Sequence, residues 1–425
     1  MPLINQIGLA EENLRKIIEE HLTFAGAGVM SENSFDVIHV TLEPFSACPD
    51  GFLADHYSLK VKFQTSGNPT AELNFFVKCL PINNPQLALY LDEIGSFPKE
   101  TSVLQDILRP LQEYCPWRKI APRVHFARAN KLLVMQNLKN DGYGVIKGES
   151  GLLDDCSLRQ ALQTLACLHA SSIVLEEKRG KSLVELFPTI LKENAWINST
   201  TSTRTKDVDN VIKLYINLVK LEKRWSAERK EAIITKLPTL IRTIYQYVVP
   251  CKRFRNCLNH GDLWCNNLMF KTNAQGDSND CVLVDFQMSR YVPLGYDINL
   301  LLYLTTSAVY RKKHEKTLLA SYYSSFAKVL ELNNVDVHKI YSLNDFFECC
   351  KHYKLAGLIH SVMISGEVTL PQEFLEKVFN HSELTAGFMP EPKISICVEA
   401  FQADRTYKAH LLELMEELFT HIKGE

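Results

Sequence analysis

Hydrophobic and polar residues follow different periods in the two parts of the chain, which predicts mainly strands first and helices later. Residues 57–64 alternate, and the apolar side of this half-buried strand consists of Tyr57, Leu59, Val61 and Phe63. Apolar runs predict further strands at residues 35–42, 71–80, 124–127 and 131–135. Helices are predicted at residues 10–22, 98–108, 158–172, 207–225, 227–248, 297–309, 313–331, 345–363 and 404–423.

The change of period divides the chain into two predicted lobes. Its 425 residues exceed what a single hydrophobic core usually supports. The flexible sequence KNDGYG follows Leu138, and we interpret it as the crossover between two lobes. The N-lobe, residues 1–138, is strand-rich, and the larger C-lobe, residues 139–425, is mainly helical. Within the C-lobe, Pro238 is expected to break or restart the helix predicted at residues 227–248.

Residues 260–287 carry the most informative sequence, which reads HGDLWCNNLMF, then a polar connection, then CVLVDFQ. Two short strands are predicted at residues 268–271 and 281–284, because turn-forming residues separate two apolar runs. In an antiparallel hairpin, Asn267 enters the first strand and Asp285 leaves the second, so both lie at the same end. Asp262 precedes Asn267 by five residues and would be carried to that end as well.

Two carboxylates and an amide at one point suit magnesium-dependent phosphoryl transfer. Magnesium prefers oxygen ligands, which Asp285 and the amide oxygen of Asn267 could supply together with substrate phosphates. Asp262 could orient an acceptor hydroxyl and take its proton as the phosphoryl group moves in line. Alternatively, HGD is an ordinary turn and Asp285 a cap. However, a chance match of His-Gly-Asp with the Asn at this spacing has a probability on the order of 0.01.

Lys78 ends the apolar run of the strand predicted at residues 71–80. Phosphoryl transfer needs a fixed cation on the nucleotide phosphates, and a strand can hold one rigidly. The alternative is a lysine whose stem packs on the strand end while its ammonium group stays in water. Glu100, in the helix predicted at residues 98–108, is the expected anchor for Lys78. Glu93 is a competing partner that the sequence leaves open.

Composition describes an ordinary soluble globular protein, with 46% hydrophobic and 23% charged residues. The balance of 47 basic and 49 acidic residues gives no indication of a nucleic-acid partner. Early charges and the lack of a long apolar run predict neither a signal peptide nor a membrane span. Twelve cysteines without a CxxC pair predict reduced thiols and a cytoplasmic location. No obligate protein partner is evident.

These features together resemble the aminoglycoside phosphotransferase and choline kinase branch of the protein-kinase-like fold. The sequences HGDLWxNN, DFQ and FVKxLP are most similar to those of the ecdysteroid kinase-like family. The likeness runs from about residue 35 to residue 420 and is strongest between residues 260 and 300. It implies an α+β, bilobal fold with a small antiparallel-sheet N-lobe. It also implies ATP and Mg²⁺ as cofactors and a small-molecule alcohol, an ecdysteroid or another lipophilic alcohol, as acceptor.

The same resemblance implies roles for individual residues. Asp262 resembles the family's catalytic aspartate, and Asn267 and Asp285 resemble its metal-binding residues. Lys78 and Glu100 are similar to the ion pair that positions the nucleotide. The residues similar to the hinge beside adenine are Gln136, Asn137 and Leu138. Asp297 is similar to an aspartate that braces the catalytic loop, and His260 is expected to orient that loop.

Two departures from the family pattern keep other functions open. The segment ACPDGFLADH contains one glycine where kinases often show several in the phosphate loop. Gln136 and Asn137 stand where relatives commonly show an acidic pair. A kinase for choline or an amino sugar is one alternative, and a catalytically silent, ligand-binding pseudokinase is another. Trp264 is interpreted either as a wall of the acceptor pocket or as an aromatic residue packed beneath the loop.

Overall fold

A five-stranded antiparallel sheet begins the fold in the computed structural model, which describes residues 7–24, 35–46, 53–65, 69–81, 83–128, 131–146 and 151–422. Its strands are β1 (Phe35–Pro44), β2 (Asp55–Thr65), β3 (Ala71–Cys79), β4 (Val124–Arg128) and β5 (Leu132–Gln136). They lie in the order β1-β2-β3-β5-β4, and all pairs are antiparallel. All five strands predicted between residues 35 and 135 are therefore present.

One face of this sheet packs against helix α1 (Glu11–Phe24). Leu59 and Val61 of β2 are fully buried there, together with Ile17 and Ile18 of α1. The alternation predicted for β2 is confirmed, since Tyr57, Leu59, Val61 and Phe63 are all buried. The helix thereby removes one apolar sheet face from water, which is the main source of stability for such a layer.

The other sheet face contributes to a large core that also contains residues of helices α2 (Pro85–Glu93) and α3 (Ser96–Ser102). The chain continues from α3 as a π-helical segment, Val103–Leu108. The predicted helix at residues 98–108 is therefore present but begins two residues earlier, whereas α2 was not predicted. Leu133 and Met135 of β5 belong to this large core, which includes residues on both sides of position 138. The division into lobes at that position stays a prediction.

Helices dominate the remainder of the fold, and those of at least seven residues are numbered. They are α4 (Asp155–Arg179), α5 (Thr203–Leu221), α6 (Ala227–Arg242), α7 (Gly295–Thr305), α8 (Ala308–Leu332), α9 (Leu343–Val368), α10 (Gln372–Phe379), α11 (Lys393–Ala403) and α12 (Arg405–Thr420). Shorter helical segments are Arg109–Leu111, Leu183–Leu186, Ile244–Tyr247 and Val337–Ile340. None of the helices in the described ranges is long and apolar enough to cross a membrane.

The prediction that Pro238 breaks its helix is wrong, because α6 runs through it to Arg242. Proline removes one backbone donor, and that cost is concentrated within a single turn. Buried Ile233, Leu237 and Ile241 form a stripe on the same helix, so packing holds the turns on both sides of the proline. The predicted span of residues 227–248 instead divides at Thr243.

The centre of the helical region is the contact between α7 and α9. Every residue of α7 is buried, including Asp297 and Asn299. A Cβ atom at Gly357 of α9 would lie 2.5 Å from the Cβ of Asn299. Glycine therefore allows the two helices to approach closely, and α7 presents Asp297 from a rigid position.

Two small sheets flank the loop of residues 260–267. One contains β6 (Tyr143–Val145), β8 (Leu268–Thr272) and β9 (Ser278–Leu283) in the order β6-β8-β9, and the other pairs β7 (Asn256–Asn259) with β10 (Arg290–Pro293). The predicted hairpin is confirmed, since Leu268 of β8 pairs with Leu283 of β9. The backbone N–H of Val284 donates to the carbonyl of Asn267 at 3.1 Å. Asn267 and the residues that follow β9 are therefore neighbours.

Candidate active site

Asp285 occupies an unusual backbone position directly after the hairpin. Its φ of 68° lies in the left-handed region, which is uncommon for a residue other than glycine and costs of order 1 kcal/mol. Lys78 donates to its Oδ1 at 2.9 Å, and the side chain of Gln287 donates to its Oδ2 at 3.2 Å. The strained backbone is thus held from both sides and directs the carboxylate into the cavity that it lines.

Asp262 and Asn267 are joined by two hydrogen bonds. The amide nitrogen of Asn267 donates to the carbonyl and to Oδ2 of Asp262, both at 2.9 Å. Both side chains are buried and line the same cavity as Asp285. Because the amide nitrogen is engaged in this way, Oδ1 of Asn267 is the atom that could ligate a cation.

His260 links the loop before Asp262 to the strand before Asp285. Its Nε2 lies 2.9 Å from the carbonyl of Val284, and its Nδ1 accepts from the backbone N–H of Asp262 at 3.2 Å. These contacts require the tautomer that carries its proton on Nε2. Burial lowers the pKa of His260, which favours this neutral form. The contacts have the geometry expected of a residue that orients the loop.

Asp297 supports the same loop from α7. Its carboxylate accepts the backbone N–H groups of His260 at 2.5 Å and Gly261 at 3.0 Å. Gly261 has a φ of 81°, and a Cβ atom there would lie 2.3 Å from the carbonyl oxygen of Met288. Glycine is thus required for this turn, and Asp297 holds it in place without lining the cavity.

Lys78 lies between two carboxylates. Its Nζ donates to Glu100 at 2.7 Å and to Asp285 at 2.9 Å. Burial acts to lower the pKa of Lys78, but the charges of Asp285 and Glu100 outweigh it and raise the pKa above its usual value. Of the two partners left open by the sequence, Glu100 makes this contact. Glu93 accepts instead from the backbone N–H and hydroxyl of Thr203.

The residues Lys78, Glu100, Asp262, Asn267 and Asp285 are called the lysine–carboxylate cluster below. Burial, followed by the charge of Asp285, raises the pKa of Asp262 to about 8. A divalent cation held by Asp285 and Asn267 would relieve this repulsion, and oxygen donors are the ligands that Mg²⁺ prefers. In the described ranges, no three or more His, Cys, Asp or Glu side chains form a metal-binding group. The Asp285 carboxylate and the Asn267 amide oxygen are both oxygen donors on the wall of one cavity, so these residues would fit that ion.

The predicted hinge, Gln136 to Leu138, follows β5 and lines the cavity. The Gln136 side chain donates to Asp141, and Oδ1 of Asn137 accepts from the backbone N–H of Lys139 at 3.1 Å. Both side chains thus make local contacts, at the two positions where the resembled relatives commonly carry an acidic pair. Nearby walls are apolar and include Phe45, Phe76, Met135 and Met269.

A single cavity of about 430 Å³ joins these groups to a second set of walls. The second set comes from the helical region and comprises Trp196, Arg204, Trp264, Met288, Ile364, Glu367, Val368 and Phe388. Of the two interpretations of Trp264, its position favours the cavity wall. Sequence reasoning missed the other members of this set, among which Arg204 and Glu367 are charged. No local motif marks either of them, since Arg204 is one of several charged residues at the start of its helix and Glu367 is a single charge near the end of another.

The chain has the protein-kinase-like fold, and its family match identifies it as a small-molecule kinase. Residues 49–335 match the ecdysteroid kinase-like family, and the chain belongs to that family. No curated protein matches the sequence. Among solved structures, the microcompartment-associated aminopropanol kinase aligns at 12% identity with a TM-score of 0.35, covering 92% of this chain and 99% of that chain.

Proposed function

We propose that this protein transfers the γ-phosphoryl group of ATP to a hydroxyl of a lipophilic alcohol. Ecdysteroids and related steroid or xenobiotic alcohols are the candidate acceptors. One observation carries the proposal: Lys78, Asp262, Asn267 and Asp285 meet in a cavity whose other walls are largely apolar. Membership of the ecdysteroid kinase-like family supports it.

In this proposal the nucleotide lies between the lobes of residues 1–138 and 139–425. Adenine lies beside the hinge of Gln136, Asn137 and Leu138, against apolar walls. Lys78 binds the phosphates and is held in place by Glu100. A cation fixed in this way needs no reorganisation during the reaction, which is why such pairs stabilise developing charge effectively.

Asp285 and Oδ1 of Asn267 would hold Mg²⁺, which when bound neutralises charge on the phosphates. Asp262 accepts the proton of the acceptor hydroxyl while the oxygen forms its bond to phosphorus and the bond to ADP breaks. Asn267 keeps the Asp262 carboxylate oriented through its amide hydrogen bond. His260 and Asp297 fix the backbone that carries Asp262.

Turnover of ATP with a panel of steroid and phenolic alcohols tests this proposal. Asp262→Asn keeps the shape of the side chain but removes the proton acceptor, so we expect a loss of roughly a hundredfold to ten-thousandfold. Asp277→Asn is the matched control, because Asp277 is exposed in the turn of the same hairpin. Unchanged turnover in Asp262→Asn would reject the proposed chemistry.

Two additional measurements separate the alternatives. Choline and an amino sugar belong in the same panel, and a preference for either would replace the lipophilic alcohol as acceptor. Nucleotide binding without turnover of any acceptor would indicate a silent pseudokinase. The intact set of Lys78, Asp262, Asn267 and Asp285 argues against that outcome, although the segment ACPDGFLADH has a single glycine. Residues 47–52 of that segment lie outside the described residues.

A further inference from the structure

Arg204 is a buried cation that lines the cavity and makes no hydrogen bond through its guanidinium within the described residues. It lies in the first turn of α5 and is only 3% exposed. Its Nε is buried without a partner. Its nearest carboxylate is Asp207, whose Oδ2 lies 3.9 Å from Nη1, and the ring of Tyr90 lies 5.3 Å from Cζ. Its hydrogen-bonding capacity is thus unused.

The neighbouring carboxylate is already engaged and leaves the guanidinium without a closer partner. Asp207 accepts from the hydroxyl of Tyr90 at 2.7 Å and from the backbone N–H of Met389 at 3.1 Å. A guanidinium carries five N–H donors, and a buried donor without a hydrogen-bond partner lowers the stability of the fold. A buried arginine with this deficit at the wall of a substrate-sized cavity is suited to a ligand that supplies an oxygen acceptor.

Glu367 is the second charged group on this part of the cavity wall. It lies near the end of α9 and is 3% exposed. Its Oε1 accepts from Lys393, which also donates to the carbonyl of Phe388 at 2.8 Å. Within the described residues, Oε2 of Glu367 makes no hydrogen bond, so a ligand could donate to it. Neither Glu367 nor Arg204 contacts the lysine–carboxylate cluster in those residues.

The local charges determine what kind of ligand group fits. Arg204 supplies one positive charge and Glu367 one negative charge to this part of the wall, and their partners Asp207 and Lys393 offset these charges from behind. Burial raises the pKa of Glu367, and the charges of Lys393 and Arg204 oppose that rise, so Arg204 is near enough to act on Glu367. An ammonium group bound at Glu367 would therefore be repelled by Arg204, and a carboxylate bound at Arg204 would be repelled by Glu367. A hydroxyl suits both residues, because it accepts from Arg204 and donates to Glu367 at the same time.

The surrounding side chains restrict the rest of the ligand. Trp196 and Phe388 pack edge to face with their ring centroids 6.0 Å apart, and Ile364 and Val368 lie one turn along α9 from each other on the same cavity wall. These walls offer apolar surface and favour a ligand with a largely apolar skeleton. The polar group that meets Arg204 and Glu367 is therefore an isolated oxygen on that skeleton.

We propose that Arg204 and Glu367 form a recognition subsite for a second, uncharged hydroxyl on an otherwise apolar acceptor. This inference rests on the proposed function, because it treats the cavity's occupant as the acceptor alcohol. The subsite distinguishes acceptors by an oxygen other than the one that is phosphorylated. Specificity for diols over simple alcohols is the property that it adds.

Ligand binding without ATP tests the subsite separately from the chemistry. Trp196 and Trp264 line the cavity, so their fluorescence reports occupancy. The probes are two sterols that differ by one hydroxyl, a diol and the corresponding mono-alcohol. We expect wild-type protein to bind the diol roughly tenfold or more tightly, because hydrogen bonds to charged groups are strong. Arg204→Met should remove this preference, and Glu367→Gln should reduce it.

Arg242→Met is the matched control, since Arg242 forms an exposed ion pair with Asp209 of α5. The control should keep the diol preference. Arg204→Lys retains the charge but not the planar donors, so it decides the question if Arg204→Met does not fold. The subsite is overturned if wild-type protein binds both sterols equally or neither of them. It is also overturned if the folded Arg204 variants keep the full preference.

Phosphate transfer, measured separately, distinguishes the two proposals. A diol preference that depends on Arg204, without transfer from ATP, would reject the proposed function and leave the subsite standing. Transfer to alcohols without any diol preference would support the proposed function and reject the subsite. Transfer that favours the diol in wild-type protein but not in Arg204→Met would support both.

Discussion

Two charged centres share one cavity but differ in how completely their groups are bonded. In the lysine–carboxylate cluster, Lys78 donates to Glu100 at 2.7 Å and to Asp285 at 2.9 Å. At the Arg204–Glu367 subsite, the closest carboxylate to Arg204 is 3.9 Å away and already accepts other donors. Complete hydrogen bonding fixes the geometry of the cluster before a ligand binds, whereas the unpaired donors of the subsite are available to bind the ligand.

In the two proposals, this difference corresponds to two separate tasks. The chemistry of phosphoryl transfer is the same for every acceptor, so its groups can be fixed in advance, which is the condition for electrostatic catalysis. Recognition depends on the ligand, and it requires donors that are left without partners in the free protein. Unpaired donors cost folding stability, and binding sites commonly carry such a cost. The comparison can therefore be tested by breaking each centre in turn.

The largest expected effect is a loss of stability on removing the cation that holds Glu367. Lys393→Met leaves this buried carboxylate without its partner, and we expect the free energy of unfolding to fall by about 3–5 kcal/mol. Urea denaturation measures the change. The matched control is Lys377→Met, because Lys377 of α10 forms an exposed pair with Glu399 of α11, the helix that carries Lys393. This substitution should change stability by less than about 1 kcal/mol.

The double variant Lys393→Met with Glu367→Met sharpens this result. Replacing both ions of a buried pair by apolar residues is often neutral or stabilising, so the double variant should recover most of the lost stability. Unchanged stability in Lys393→Met would contradict the view that Glu367 is held as an ionised group. It would also remove Glu367 as the hydroxyl acceptor of the subsite.

The second prediction concerns the lysine–carboxylate cluster. Lys78→Met should lower turnover by roughly a hundredfold to a thousandfold, because it removes a preorganised cation that acts on the phosphates. The loss should be equal for the diol and the mono-alcohol, since we propose that Lys78 binds the nucleotide and not the acceptor. Lys60→Met is the control, as Lys60 lies on the adjacent strand β2 in an exposed pair with Glu43. A loss confined to one acceptor would show that the two centres are not separate.

The lysine–carboxylate cluster could largely be predicted from the sequence, because most of its residues lie close together in the chain. Asp262 and Asn267 lie in one loop, and the hairpin register carries Asp285 to them without reference to the rest of the chain. Lys78 ends an apolar run that predicts a strand, and only the choice between Glu100 and Glu93 required coordinates. Their roles in phosphoryl transfer stay predictions until the variants are measured.

The Arg204–Glu367 subsite could not be predicted, because its two residues come from helices far apart in the chain. Their meeting depends on how α5 and α9 pack, and helical periodicity does not specify which helices become neighbours. The same limit applies to β6, β7 and β10, which have three or four residues and show no period. Pro238 was misjudged for a related reason, since packing of Ile233, Leu237 and Ile241 outweighs the local preference of proline.

The smallest expected effect comes from an ion pair that is fully bonded but exposed. Asp155, in the first turn of α4, accepts from Arg159 at 2.6 and 3.2 Å and from the hydroxyl of Tyr310. If complete bonding alone determined the energy, Asp155→Asn would cost as much as breaking a buried pair. Because water and salt screen exposed charges, we expect a loss below about 1 kcal/mol near neutral pH.

The pH dependence of this small loss identifies its origin. The bonds from Arg159 and Tyr310 hold the pKa of Asp155 below its usual value of 3.8. A depressed carboxyl pKa contributes stability that is fully present above 3.8 and is lost as the pH falls through the lower, folded-state value. Denaturation curves of wild-type and Asp155→Asn protein should therefore differ near neutral pH and converge in acid. If the difference in stability between the two proteins persists in acid, packing and not charge stabilises the Asp155 contact. Solvent exposure would then not be the reason that this contact is weaker than a buried ion pair.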